Sequence, residues 1–532
     1  VLARIFPATI ARYINKNLID SPGFSLTDHS LDEETTMTWR QIQYTCWLVF
    51  FCCGCVLWGR HLFAAELPKD EARKATQTPS IVRTNTPANG TNGTSFSAQE
   101  TPGRTRFDFD NLTKLMEEHK TPLAAMAPDW LNIAVEHRTR YDVYDNGFTR
   151  SIPGFNDQIH QRTRFLMEIK NIIDPLKFTL ELTDIRAPLA NFGQEHNPNI
   201  ADHFDFTQMH LGLHGKNFLG TGYAAKFEVG RFMMDLGEAR LVGGHRWGTL
   251  SPAFDGLHFM MGNTDEKWSL RVFGARPVNR VTTSLNWNTP ETYFSGVYVT
   301  NRDLRWANFD GYFLQLNEGD HLRQRNLSTT GFRLFAKPAK GNMDYEVESM
   351  YQFGDTRDKS LFAHRHHGEV GYSFNTSMPL RAVYLFDYSS GDRDPDKNFD
   401  ILYAKRRVEY GPTGMFGPFF PSNLISPVGF RATLVPTPTV RLMMSHRAYW
   451  LADKHGAYVG SGLQDPTGRA GTFLGNMLDV SIGWDPQFSF LKRVSFDIGY
   501  SHIFKGDYFD KVANTPGMAD TNYGYTMATF KF

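Results

Sequence analysis

A set of arginines defines the chemistry open to this sequence. Arg138, Arg140, Arg162, Arg164, Arg271, Arg333, Arg381, Arg431, Arg441 and Arg447 fall on the polar side of segments that alternate apolar and polar residues. A guanidinium is a planar fork that binds carboxylates bidentately. Lined along a low-dielectric wall, such groups focus positive potential and enrich anionic solutes. Glu136, Glu168, Glu181, Glu348 and Asp387 share those faces. Interleaved acids would keep an anionic chain from binding so tightly that it stalls. Alternatively, each arginine pairs with a cross-strand carboxylate and stiffens the wall. For one residue the two readings stand level; for the set, an anionic path is the stronger.

Other groups carry less. In the run His364, Arg365, His366, His367, Gly368, Glu369, a strand places His364 and His366 on one face and His367 and Glu369 on the other. They do not converge, so rim or aromatic-girdle histidines are expected rather than a metal or acid–base site. There is no nucleophile-and-base spacing and no phosphate-binding glycine loop. Neither catalysis, a cofactor nor a metal is expected. Lys+Arg and Asp+Glu both total 56, which argues against a nucleic-acid binder. Mean hydropathy is negative, which argues against a bundle of membrane helices.

The elements that must position these arginines are strands. Leu131, Ile133 and Val135 oppose Glu136, Arg138 and Arg140; Thr163, Phe165 and Met167 oppose Arg162 and Arg164. The same period of two recurs in Tyr345/Val347, Phe430/Ala432 and Val494/Phe496/Ile498, each against polar partners. The pattern predicts an all-β chain of about 18 strands: 130–144, 158–173, 176–186, 204–214, 222–234, 253–262, 266–275, 291–300, 309–318, 328–337, 343–353, 361–374, 380–388, 427–435, 439–451, 476–484, 491–504 and 521–532. Links after even strands are mostly short, and links after odd strands mostly long. A sandwich has no reason to sort its loops by parity. A transmembrane antiparallel up-and-down barrel does, with periplasmic turns and outer loops, its apolar face in lipid and its charged face inward. The closing strand ends on Phe530 and Phe532, resembling the aromatic signal that outer-membrane assembly machinery reads.

Ahead of the barrel, Cys46, Cys52, Cys53 and Cys55 sit in one apolar run from Thr45 to Trp58, shorter than the roughly 20 residues of a membrane helix. With Arg40 before it and Ala64–Ala65 after it, 37–65 reads as a signal peptide. Residues 1–36, which carry acids, are expected to be an extension ahead of a true start at Met37. Residues 66–128 form a polar tether with a short helix over 109–119, and 129–532 form the barrel.

Several segments resemble the alginate-export family of outer-membrane β-barrels. They are Leu131 to Tyr141 with Gln161 to Arg164 and Leu180 to Arg186; Val229 to Gly243, continuing to Trp247 and Phe254 to Gly256; Tyr388 to Pro395 with Asn398 to Tyr403; and Ile498 to Ser501 through Gly506. The match covers about 129–532, with Lys405, Arg406 and Arg407 departing from the usual pattern. The resemblance implies an outer-membrane pore exporting an anionic exopolysaccharide, an alginate-like polyuronate. The expected partners are that polymer, outer-membrane lipid, and periplasmic export and barrel-assembly machinery, around a monomer. Arg231, on the apolar parity of its strand, is expected at the rim. Asp235 and Arg240 are expected to form a loop-latching ion pair, and Asp392 belongs to the third motif. The rival readings are an anion-preferring porin for small solutes and, from another class, an outer-membrane barrel enzyme.

Overall fold

The computed structural model describes residues 127–532 apart from 148–153, 171, 191–196, 199, 245–250, 264–266, 321, 405–420, 489–490 and 492. The extension, leader, tether and short helix expected ahead of residue 127 lie outside the described residues, as do Trp247, Lys405, Arg406 and Arg407.

Eighteen long strands form the molecule. They are β1 Leu131–Asp145, β2 Asn156–Ile169, β3 Leu176–Arg186, β4 Asp202–Gly215, β5 Ala224–Phe232, β6 Phe254–Gly262, β7 Trp268–Asn279, β8 Thr292–Asn301, β9 Asn308–Glu318, β10 Arg325–Phe335, β11 Met343–Thr356, β12 Lys359–Ser373, β13 Leu380–Ser389, β14 Leu424–Thr437, β15 Val440–Trp450, β16 Phe473–Trp484, β17 Val494–Lys505 and β18 Thr521–Lys531. Each pairs antiparallel with its neighbours in sequence. β1 pairs with β18 from Glu136↔Lys531 to Asp145↔Asn522, which closes the sheet. Phe532 continues this seam by exchanging two backbone hydrogen bonds with Val135, at 2.9 and 3.2 Å. Closure leaves no unpaired edge, the condition for a sheet to sit in hydrocarbon. No helix among the described residues is long and apolar enough to cross a membrane; the strands do the crossing.

Alternation assigns the two faces. On β4, Met209, Leu211 and Leu213 point outward and are exposed, while Gln208 and His210, which alternate with them, are buried inside. On β8, Tyr293, Val297 and Val299 point outward and Phe294 and Tyr298 inward. At the outer-loop end, His364 and His366 lie on the outward face of β12, packed among Tyr351, Phe362 and Tyr388. They are girdle residues, as the face argument expected. At the turn end, Trp484, Leu491, Val494, Phe496 and Phe530 form a second outward aromatic cluster.

All eighteen expected segments are strands, with shifted ends. The largest shifts are at β2, which stops at Ile169 instead of 173, and at β7, which runs to Asn279 instead of 275; β14 starts at Leu424 instead of 427. Register breaks between Leu385 and Asp387, and between Ile425 and Gly429, mark a bulge. The bulge resets parity, so Leu424 and Ser426 point inward before Gly429 and Arg431 resume. Loop parity also has exceptions: β9 and β10 are joined by 319–324, and β11 and β12 by Arg357–Asp358 alone. Both turn residues have positive φ, 50° and 59°, the left-handed pair that a two-residue hairpin uses.

Two outer loops turn into the barrel. Segment 233–244, after β5, and segment 390–404, after β13, meet at a parallel bridge between Val242 and Tyr403. Gly243 N donates to Tyr403 O (3.1 Å), and Tyr403 N donates to Leu241 O (2.9 Å). Their apolar side chains pack with inward residues of β6 to β12, including Phe254, Phe294, Tyr312 and Met350. A separate cluster over β14 to β17 gathers Tyr458 and Leu463 from the loop after β15 with Tyr508 and Phe509 of the short helix α1, Asp507–Lys511.

Candidate functional site: the charged inner wall and its loop latch

Along β1 and β2, Glu136, Arg138, Arg140, Asp142, His160 and Arg162 all face inward and are buried. The register sets Arg138 directly opposite Arg162 and Glu136 opposite Arg164. Arg162 donates to Glu136 at 2.8 Å. Arg140 donates through Nε to Asp142 on its own strand at 2.9 Å. Arg164 reaches Glu181 on β3 at 2.6 Å. Arg162, Arg140 and Arg164 thus each meet a carboxylate, while Arg138 and Arg162 face one another as like charges.

A second inward ladder runs over β12 to β15. Arg447 donates to Asp387 (2.6 Å) and Ser426 (3.1 Å). His367 sits 2.9 Å from the other Asp387 oxygen. Arg381 holds Asp344 and reaches Glu369 at 3.1 Å. Arg431 is buried among Glu369, Arg447, Arg381 and Asp479. Arg441 faces inward near the turn end of β15, beside Gly483 and Asp497.

The remaining arginines hold the inward loop. Arg333 bridges Asp310 (3.1 Å) and Glu346 (2.7 Å) on the wall and Glu238 (3.1 Å) in the loop. Arg271 donates to the backbone carbonyl of Asp235 at 2.8 Å. Arg240 reaches out of the loop to Glu346 and Glu348, both at 2.5 Å. Glu348 also accepts from Tyr312 at 2.7 Å. The latch therefore runs from Arg240 to β11, while Asp235 accepts from Gly244 N (2.5 Å) inside the loop. Gly237, at φ 55°, lies where a Cβ would come within 2.5 Å of the Tyr298 hydroxyl, so the loop can seat this closely only on glycine. Asp392 belongs to the turn of the second inward loop and accepts from Asp394 N at 2.8 Å.

Arg231 sits at the outer end of β5, on the parity of the outward Val229 and opposite Asp255. It clamps Asp255 with two bonds of 2.7 and 3.0 Å and donates to the carbonyls of Phe206 and Asn286. Arg365 and Glu346 were not singled out from sequence. Arg365 is buried facing inward and donates to the Arg240 carbonyl at 3.3 Å. Strand parity places both inward.

The family model described as alginate export matches residues 129–521. No curated protein matches significantly. Among solved structures, Pseudomonas aeruginosa OpdK with vanillate aligns at TM-score 0.52 and 11% identity, covering 75% of this chain and 98% of that one. Acinetobacter baumannii OccAB1 aligns at 0.52 and 10%, covering 76% and 97%. Pseudomonas aeruginosa OccK2 (OpdF) in complex with glucuronate aligns at 0.50 and 10%, covering 76% and 98%. At such identities the likeness is one of fold, an outer-membrane porin barrel. With the family match running from the first barrel strand to the last, the chain belongs to the alginate export family of outer-membrane channels.

Proposed function

We propose that this channel carries an anionic, carboxylate-bearing polysaccharide out across the outer membrane, guided by arginines of the inner wall. The observation that carries the reading is the stack of Arg138, Arg140, Arg162 and Arg164 on adjoining inward faces. Interleaved Glu136 and Glu181 supply the opposing charge that lets a polyanion pass from one guanidinium to the next without being held. No bond is made or broken in this reading; the protein contributes potential, hydrogen-bond donors and a closed wall.

A second reading, an anion-preferring porin for small solutes, draws on the two loops that turn into the barrel and occupy part of its interior. The glucuronate carried by one of the structural neighbours is of that class. The two readings separate in planar bilayers. In a salt gradient, reversal potentials should show anion preference. Arg162→Gln, Arg164→Gln and Arg441→Gln together should reduce the anion-to-cation permeability ratio about twofold or more, since each removes one positive charge from the inner wall. A polyuronate should block the current at lower carboxylate concentration than monomeric glucuronate, and less in the triple variant. Cation preference in the unsubstituted protein would remove the electrostatic basis of both readings. Block by monomer alone would favour the small-solute porin.

A further inference from the structure

Away from the arginines, the inward face of β4 to β6 gathers three histidines and a lysine around one carboxylate. Glu228 Oε1 lies 2.6 Å from Lys226 Nζ, 3.3 Å from His210 Nε2 and 3.7 Å from His214 Nε2. Its Oε2 lies 3.0 Å from His258 Nδ1. The register explains the convergence. Glu228 pairs across the sheet with Gly212 on one side and His258 on the other, and Lys226 pairs with His214. A Cβ on Gly212 would come within 2.7 Å of His214 Nε2, so His214 folds over this glycine to reach the carboxylate. His210, Glu228 and His258 are buried, His258 beneath the stacked ring of Phe232. His214 and Lys226 have 23% and 29% of their side chains exposed and form the open edge, at the turn end of the barrel. The donors address the two oxygens of Glu228 rather than a shared vacant point. Among the described residues no group of His, Cys, Asp or Glu is arranged to hold a metal ion.

Charge decides what the cluster does. Lys226 already balances Glu228. Each imidazole that takes a proton therefore adds an uncompensated positive charge to the wall. The other charged groups facing it are Lys177 on β3, 3.7 Å from Glu168, and Arg271 on β7, beside His258. Both are cations, and Glu168 is already engaged by Lys177, so these groups leave the added charge in excess. Imidazole is the side chain whose charge responds most readily to acidification.

We propose that the Glu228 cluster is a proton-dependent anion station in the periplasmic half of the lumen. It is neutral when its histidines are neutral, and it is cationic and attractive to carboxylate-bearing solutes when they are protonated. The proposal rests on the channel reading above and adds a condition under which its periplasmic mouth loads. Two outer-loop carboxylates, Asp465 and Asp394, are not the source of such a response. Hydrogen bonds from Thr467 and from the Ala470 amide hold Asp465 at about 2, and the Lys359 ammonium holds Asp394 below the usual carboxylate range.

The test uses the full chain in planar bilayers, with potassium chloride gradients at pH 7.5 and pH 5.5. The chloride-to-potassium permeability ratio should rise about threefold on acidification. His210→Gln, His214→Gln and His258→Gln together should abolish the rise. His214→Gln alone should reduce it by about half, and it decides the matter if the triple variant does not form a barrel. His446→Gln, on the outward face of β15, should leave the response intact. A flat response in the unsubstituted protein overturns the proposal, as does a full response in a folded triple variant. In either case anion preference at pH 7.5, set by the arginines, still stands as the measure of the channel reading. Absence of current at both pH values would overturn both.

Discussion

At Arg240 a single side chain fastens a loop to the barrel wall. Its guanidinium is buried between Glu346 and Glu348, and its carbonyl accepts from Arg365. Removing one member of a buried ion pair costs about 3–5 kcal/mol, because the partner charges stay buried. Here Glu346 keeps Arg333 and Glu348 keeps Tyr312, so Arg240→Ala belongs at the lower end. The expected consequence is a loosened loop and a higher single-channel conductance, measured in bilayers against the unsubstituted protein. Unchanged conductance would show that segment 233–244 does not narrow the conducting path. The sequence placed Glu348 on the inner wall by parity. It could not give Arg240 its partners, because they lie more than a hundred residues away and on a different strand.

Strands were the most legible elements, since a period of two is local and each residue votes on it. Their ends were less so. A bulge shifts parity without changing composition, as at Leu424 to Gly429, and a hairpin as tight as Arg357–Asp358 carries no glycine or proline to announce it. The face assignment has a direct test. Val297 is exposed at the middle of β8, where lipid replaces solvent. Val297→Arg should destabilise the folded barrel by about 2–4 kcal/mol, read as a lower urea midpoint for refolding into vesicles. Tolerance of arginine there would contradict the assignment of this face to lipid. Arg441, two residues from the buried Met443 on the inner face of β15, shows the reverse: a cation is accommodated where the wall faces its own carboxylates.

Closure is a property of the whole molecule. The last strand must find the first across nearly the entire chain, and β1 meets β18 in continuous register. Thr526 sits mid-strand between Tyr141 and Ile498. Thr526→Pro removes one ladder N–H and leaves a backbone acceptor unpaired within the bilayer, at a cost of several kcal/mol. The expected result is loss of the heat-modifiable band in gel electrophoresis and little protein in outer-membrane fractions. A normal band would mean that the seam tolerates a break.

The sequence by itself determined the strands, the two faces, the up-and-down order, and the inward placement of Arg138, Arg140, Arg162, Arg164, Arg381, Arg431, Arg441 and Arg447. All of these follow from alternation and loop spacing, which are written in neighbouring residues. Only the tertiary structure decided which arginines pair with carboxylates of neighbouring strands and which, like Arg271 and Arg333, are occupied in holding a loop. It also decided that two outer loops pair inside the barrel, and that His210, His214 and His258 meet at Glu228. Those contacts join residues separated along the chain but adjacent across the closed sheet, and adjacency of that kind is set by register and closure, not by local pattern.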